Sequence, residues 1–572
     1  MENYEDSVSF LGTWGPFQRR VFFLLCLISI PSGYNILCVM FLLASPPHHC
    51  HIPIHSNLSQ DWIQAIIPGQ MEAGQLELSS CSRYDLELVQ NLSAGGYTPS
   101  LGHNLSVLGS GPEILLSGLK QESCKDGWTY STEYYESTVV TEFNLVCGDL
   151  WKQPLTSLAY FLGGLSGCLV SGQISDRFGR KPVLFGAIAM LSVFSSALAF
   201  APSWPFFTLL FYMMGVGQIA SYVTLFVLGS EILVGSTRVL FSGLSLPIVY
   251  AFSMMLLPGT AYLVRNWRHL SLIMTVPGLA CMPLWMLIPE SPRWLVSCCR
   301  FQEAEMILRS AALKNQVEAP QVIFVTAKVE KEEIQEAESY SLLDLLRAKK
   351  LRCLTLMLWL MWFSLGISYF GLSFNLSSLY GNPFLNYFLL SAVELPAYFA
   401  SFLAARSLPR RQTYMGFVLL GALALFLIQI TLQSYPSLTL ALVLIGKFGI
   451  LAGSASLYIF TGELFPTVVR NTAMSSCAMF SRVGSSVSPY LVQLAVFYQF
   501  LPWIVMGALS LLGVLLCFLL PETFKQPLPD TIQQMAATQR LRLPWTSAPP
   551  KDDGKLTKDQ TIAPEIICTT HL

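Results

Sequence analysis

Three ionisable side chains stand far inside strongly apolar runs: Glu394, Lys447 and Arg482. A charge at such depth is costly, and it persists where it faces a cavity, a partner or a ligand. The planar fork of Arg482, in Phe480-Ser481-Arg482-Val483-Gly484-Ser485, suits a carboxylate. Tyr34, Tyr222, Tyr369 and Tyr458 offer ring faces that attract a quaternary ammonium, and Gln218 adds an amide. Packing is the ordinary role of any one aromatic. As a set, a fork for an anion and rings for a cation predict a small organic cation or zwitterion as ligand.

A second set of charges is written twice. Glu231 is followed seven residues later by Arg238 and 58 residues later by Pro289-Glu290-Ser291. Glu463 is followed by Arg470 and Pro521-Glu522-Thr523 at the same two distances. The chain therefore reads as two related halves offset by 232 residues. With seven residues between them, each Glu and its Arg are expected on one helical face, and the duplicated charges predict salt bridges that hold one conformation closed. Asp176, Arg177 and Arg180, in Gly172-Gln173-Ile174-Ser175-Asp176-Arg177-Phe178-Gly179-Arg180-Lys181, belong to the same gating set.

The elements that position these groups follow from composition. Of 572 residues, 53% are hydrophobic and 12% charged, whereas soluble chains carry about 25% charged residues. Apolar runs near the roughly 20 residues needed to cross a bilayer fall at 21–44, 153–172, 182–200, 205–228, 239–262 and 271–289. They recur at 353–373, 384–405, 413–432, 438–460, 472–495 and 501–520. The fold predicted is an all-α membrane protein with twelve transmembrane helices in two pseudo-symmetric halves of six, with membrane lipid as its surrounding partner. The run from Val21 is too long for a signal-peptide core. Lys and Arg concentrate in 1–20, in the loop after the second run, in the inter-half loop 293–352 and after the eighth run. This bias places both termini in the cytoplasm, with 521–572 as a cytoplasmic tail, at a plasma membrane. Arg265 and Arg268 stand against the pattern.

The insertion 45–152 contains Cys50, Cys81, Cys124 and Cys147 with sequons at Asn57, Asn91 and Asn104. It is expected to be an extracellular, glycosylated loop held by disulfides, in any of three pairings. Asn375 opens another sequon at a span end and is expected to stay bare. The inter-half loop, with the charge run Lys328 to Glu333, is expected to form short amphipathic helices. A net charge of -1 gives no reason to expect nucleic acid. Gly229 to Ser236 lacks the Lys of a phosphate-binding loop, so no nucleotide is expected. Without a metal cluster or a nucleophile–base motif, no catalytic residue, metal ligand or cofactor is assigned, and the chain is predicted not to be an enzyme.

The loop Gly172 to Lys181 resembles the signature of the major facilitator superfamily. Several further strings are similar to the organic cation, anion and carnitine transporter family: Phe10-Leu11-Gly12 with Trp14-Gly15-Pro16-Phe17-Gln18, Gln121-Glu122-Ser123-Cys124, Val139 to Cys147, Pro289 to Leu295 and Glu463 to Asn471. Gly446-Lys447-Phe448-Gly449 and Ser481-Arg482-Val483-Gly484 look like its organic cation/carnitine branch. The resemblance implies a plasma-membrane transporter working by alternating access, with Arg482 on the carboxylate of a carnitine-like zwitterion, aromatics on its ammonium, and sodium as candidate coupling ion. Where the branch has Asn, Asn and Asp, this chain has Ser32, Ser221 and Asn375, which argues against assuming carnitine itself or sodium coupling. An organic anion carrier using Lys447 with Arg482 is the alternative reading, and a non-translocating receptor is a further one.

Overall fold

The computed structural model describes residues 7–53, 58, 60–72, 75–100, 113–115, 119–321, 323–324, 346–347, 349–376, 379 and 381–524. Among the described residues, eleven helices are long and apolar enough to span a membrane. Spans one to six are Pro16–Leu42, Cys147–Phe178, Arg180–Leu198, Trp204–Ile232, Gly235–Leu263 and Trp267–Met286. Spans seven to ten are Leu351–Asn375, Pro383–Ser407, Arg410–Thr431 and Pro436–Leu464, and span twelve is Leu501–Leu519. Span eleven, Thr467–Val487, has a low mean hydropathy because Arg470, Arg482 and five serines interrupt it. It begins five residues before the predicted start and ends at Val487, because Pro489 cannot donate to the preceding turn.

Small residues bring the spans together. A Cβ on Gly163 would come within 2.1 Å of the Tyr212 carbonyl, so span two lies directly on span four only because that atom is missing. Gly366 and Gly484 do the same for spans seven and eleven, where added Cβ atoms would stand 2.2 Å from Ser481 O and 2.4 Å from Phe363 O. Across the halves, span two meets span eleven and span five meets span eight.

The domain between the first two spans caps one end of the bundle, the end that the Lys and Arg bias predicts to face outward. It contains short two-stranded sheets, with Cys50 joined to Cys124 and Cys81 to Cys147. Asn91 is exposed on the helix Leu86–Ala94, while Asn57 and Asn104 lie outside the described residues. A stem after this domain ties to the first half through Glu142, which accepts from Trp267 Nε1 at 2.7 Å and pairs with Arg268. That explains Arg268: it is spent on a carboxylate, so it does not contradict the charge bias. Above the bundle, Phe384 of span eight is surrounded by Phe41, Tyr135 and Tyr262, at ring separations of 6.0, 5.3 and 5.8 Å. The outer ends of the halves are therefore in contact.

At the opposite end, predicted to face inward, the inter-half segment forms Pro292–Ser297 and Phe301–Asn315. Asn315 fastens the second helix to the start of span one, accepting from Phe17 N at 2.8 Å and donating to Gln18 Oε1 at 2.8 Å. The charge run Lys328 to Glu333 and the tail from 525 lie outside the described residues. Asn375 is buried and donates to Gly371 O at 2.9 Å.

Candidate substrate site and inner-face charge networks

The duplicated charges form two matching networks, but not the pairs expected. Span four ends at Ile232 and Leu233 turns extended, so Arg238 lies beyond a break, on a separate helix. The seven-residue spacing therefore does not put Glu231 and Arg238 on one face. The Arg238 Nε donates to Leu233 O at 3.0 Å, and Arg470 donates likewise to Phe465 O at 3.4 Å. Each arginine satisfies a carbonyl where the helix stops, a C-terminal role favoured by the helix dipole.

Glu231 instead takes Arg180 at 3.0 Å, and Glu463 takes Arg410 at 3.0 Å. Arg180 also reaches Asp176 at 2.5 Å. Each arginine is the first residue of the next helix, and its backbone N–H is capped by the repeated Pro-Glu element. Glu290 accepts from the N–H groups of Arg180 and Lys181 at 3.0 and 3.1 Å. Glu522 accepts from those of Arg410 and Arg411 at 2.8 and 3.1 Å. A carboxylate at a helix N-terminus fills orphan donors and meets the positive end of the dipole. The glutamates of the two Pro-Glu elements, whose role spacing alone did not reveal, thus complete each network. Each network lies within its own half, so each ties three spans of that half together. Arg177 turns onto the Phe178 ring at 5.7 Å.

Deeper in the bundle, Glu394 and Lys447 face each other at 3.4 Å, each 1% exposed. Pro396 weakens the helix where Glu394 begins its second segment, after a break at Val393. The Tyr369 hydroxyl donates to Glu394 Oε1 at 2.5 Å, and Lys447 Nζ sits 3.0 Å from the centre of the Tyr369 ring. Lys447 also reaches Tyr369 O and Ser373 Oγ at 3.5 Å. Glu394, Lys447 and Tyr369 thus form one cluster largely satisfied from within. Its loose end is Glu394 Oε2, buried without a hydrogen-bond partner.

Arg482 is different. It is half-buried midway along span eleven, and among the described residues its guanidinium makes no hydrogen bond or ion pair. Its charge reaches the hydroxyls of Tyr160, Tyr222 and Tyr250. The Glu394 charge reaches Tyr222, Tyr250, Tyr369 and Tyr398. Tyr222 and Tyr250, both of the first half, feel the Arg482 cation and the Glu394 carboxylate alike. Tyr222 and Tyr250 meet edge to face at 5.0 Å.

The other expected residues are scattered around this centre. Gln218 is fully buried and donates to the Ser32 carbonyl at 2.5 Å. Tyr34 is packed into the core with Thr260 beside its hydroxyl. Tyr458 is 45% exposed between Phe226 and Trp362, at the inner approach to the site. Tyr160, Tyr250 and Tyr398 had not been expected. Tyr398 stands four residues after Glu394, a helical neighbour that the sequence does show; no spacing marks the other two.

These features recur in known proteins. The family model described as Sugar (and other) transporter matches residues 120–535. The mouse protein "Solute carrier family 22 member 4" is 43% identical over 542 residues, covering 95% of this chain and 96% of its own. Human "Organic cation/carnitine transporter 2" is 42% identical over 570 residues, covering 100% of both. The partially occluded, inward open xylose transporter XylE from E. coli shares the fold, with a TM-score of 0.57 and 14% identity over 90% of this chain and 100% of its own. The chain is a multi-pass transporter of the major facilitator superfamily, and within it belongs to solute carrier family 22.

Proposed function

We propose that this protein moves a small zwitterion, one carboxylate with one ammonium, across the plasma membrane by alternating access. The observation that carries this reading is the Arg482 guanidinium at mid-span, unpaired among the described residues, whose charge reaches Tyr160, Tyr222 and Tyr250. An arginine without a partner at that depth is stabilised when a carboxylate arrives. The ammonium end fits the ring faces of Tyr222, Tyr250 and Tyr398. Tyr369, assigned this role from the sequence, has Lys447 on its ring instead. The relatives whose printed names include carnitine and organic cations support the same class.

The charge balance also bears on the organic anion reading. Lys447 and Glu394 cancel, leaving Arg482 as one net positive charge at the site. One carboxylate neutralises it; a dicarboxylate leaves a negative charge beside Glu394. Inner-face placement in the cytoplasm rests on the Lys and Arg bias, and the two charge networks act as staples that let each half rock as a unit. Sodium remains the candidate coupling ion, with the buried and unpartnered Gln218 Oε1 and Asn35 Oδ1 as available oxygens.

The deciding measurement is uptake by Arg482→Ala at matched surface expression. Zwitterion uptake is expected to fall about 10- to 100-fold, the worth of one charged hydrogen-bonded contact, while uptake of a carboxylate-free quaternary ammonium is retained. Equal loss of both, or no loss of either, removes the assignment. The same assay with sodium replaced by choline-free potassium medium tests coupling.

A further inference from the structure

Two exposed thiols stand apart from the transport machinery. Cys298 and Cys299 are exposed, whereas Cys26, Cys38, Cys281, Cys477 and Cys517 are buried. The pair follows the helix Pro292–Ser297, which Ser291 caps and which Trp294 pins to the inner end of span two through Nε1–H to Asp176 O at 2.9 Å. Backbone bonds fix the turn: Cys298 N donates to Trp294 O at 3.0 Å and Arg300 N to Leu295 O at 2.9 Å. Within that turn Cys299 has φ 59°. This is the left-handed position where helices commonly place glycine, and a side chain there is strained. A cysteine held in that conformation beside a second exposed thiol suggests a use for sulfur.

The surroundings indicate which use. The inner ends of spans two and six present Phe178 and Met286, 63% and 89% exposed, at the rim where the bundle meets lipid. Arg300 is paired with Glu303 at 2.6 Å, which leaves exposed Arg293, on the helix before the cysteines, as the charge that matches an anionic leaflet. Span two ends at Phe178, two residues past the carbonyl that holds Trp294, so the turn sits close to headgroup depth. A nucleophilic pair there is placed to receive a fatty chain that need only fold back into the bilayer.

We propose that Cys298 and Cys299 form an S-acylation site for a long-chain fatty acyl group. A cysteine thiolate attacks the thioester carbonyl of a long-chain acyl-coenzyme A. The new carbon–sulfur bond to cysteine forms as the bond to coenzyme A breaks, and the departing coenzyme A thiolate takes up the proton that the cysteine lost. No electrons change hands. The acyl chain would anchor the hairpin formed by Pro292–Ser297 and Phe301–Asn315 to the inner leaflet. This step rests on the inner face being cytoplasmic, where acyl-coenzyme A is found.

The test is hydroxylamine-dependent acyl exchange on the full chain expressed in cells. Wild type is expected to carry the label, and the double variant Cys298→Ser/Cys299→Ser is expected to lose it while keeping uptake. Cys299→Gly, which relieves the turn, is expected to fold and to keep label on Cys298. Absence of label in wild type overturns the proposal. So does label that persists in the double variant, since it would then sit on another cysteine. An impermeant thiol reagent applied to intact cells reads the orientation separately: modification of this pair from outside overturns both the orientation and the acylation, while protection leaves the exchange result to decide acylation alone.

Discussion

Removing either partner of the buried Glu394–Lys447 pair tests the internal-cluster reading most directly. At 3.4 Å and 1% exposure of each side chain, the attraction at an effective dielectric near 20 is about 5 kcal/mol. Desolvating the two ions costs several kcal/mol each, so the pair as a whole contributes little net stability. Its members depend on each other nonetheless. Lys447→Met leaves the carboxylate without its cation, and Glu394→Gln leaves the ammonium without its anion. Each single change is expected to destabilise by about 3–5 kcal/mol. The double variant removes attraction and penalty together, and should lie within about 2 kcal/mol of wild type. Gln at 394 retains an oxygen for the Tyr369 hydroxyl, which keeps that hydrogen bond out of the comparison. The assay is thermal unfolding of the purified chain in one detergent, arranged as a double-mutant cycle. Additive losses, with the double variant as unstable as the sum of the singles, would falsify the pairing. A stable Lys447→Met would show that Glu394 is held by something other than Lys447.

Two further outcomes follow from the outer face. Burial alone would raise the Glu142 carboxyl, but the hydrogen bonds from Arg268 and Trp267 outweigh it and hold the group below the usual carboxylate range. A depressed folded value means that the stabilisation is complete above the unfolded glutamate value, about 4.3, and is lost as pH falls through the lower folded value. Protease cleavage of the stem in wild type should therefore rise below about pH 4, whereas Glu142→Gln should be cleaved more readily already at neutral pH and respond less to acid; equal acid responses would remove this carboxylate as the cause. Phe384→Ala empties the ring cluster that joins the outer ends of the halves and should shift the population toward an outward-facing state by 1–2 kcal/mol, or about tenfold. An impermeant thiol reagent against a Ser391→Cys background reads that shift, and unchanged reactivity would show that Phe384 does not hold the outer side shut.

The spans were legible because a bilayer demands long apolar runs, and the two halves were legible because duplicated Glu, Arg and Pro-Glu elements kept their spacing. What failed was the step from spacing to contact. Glu231 and Arg238 are seven residues apart in a string that reads as continuous helix, but the backbone turns extended at Leu233. Gly235, left-handed at φ 58°, and Pro466 after the equivalent Phe465 were the signals of that turn. The true partner, Arg180, lies 51 positions away and could be found only by folding the loop after span two against the end of span four. The binding centre shows the same limit: charge depth correctly singled out Glu394, Lys447 and Arg482, yet it could not tell which of two cations was already paired.

That distinction separates what the duplication preserved from what it released. Residues at equivalent positions of the halves do identical work on the inner face, where Glu290 and Glu522 cap helices and Glu231 and Glu463 bind the arginines those helices begin with. Such contacts depend on helix ends, and helix ends are reproduced whenever the fold is. At mid-membrane the symmetry stops, because both halves supply tyrosines but the charges Glu394, Lys447 and Arg482 come from the second alone. A rocking mechanism needs matched levers, so substitution at a staple should impair movement whatever the cargo. Recognition needs no match, and a single charge can set it: on the proposed reading Arg482 receives the anionic end of the substrate, while the Glu394–Lys447 pair adds no net charge to the centre. Selectivity in this chain should therefore change with one residue of span eleven more readily than with any residue of the duplicated networks.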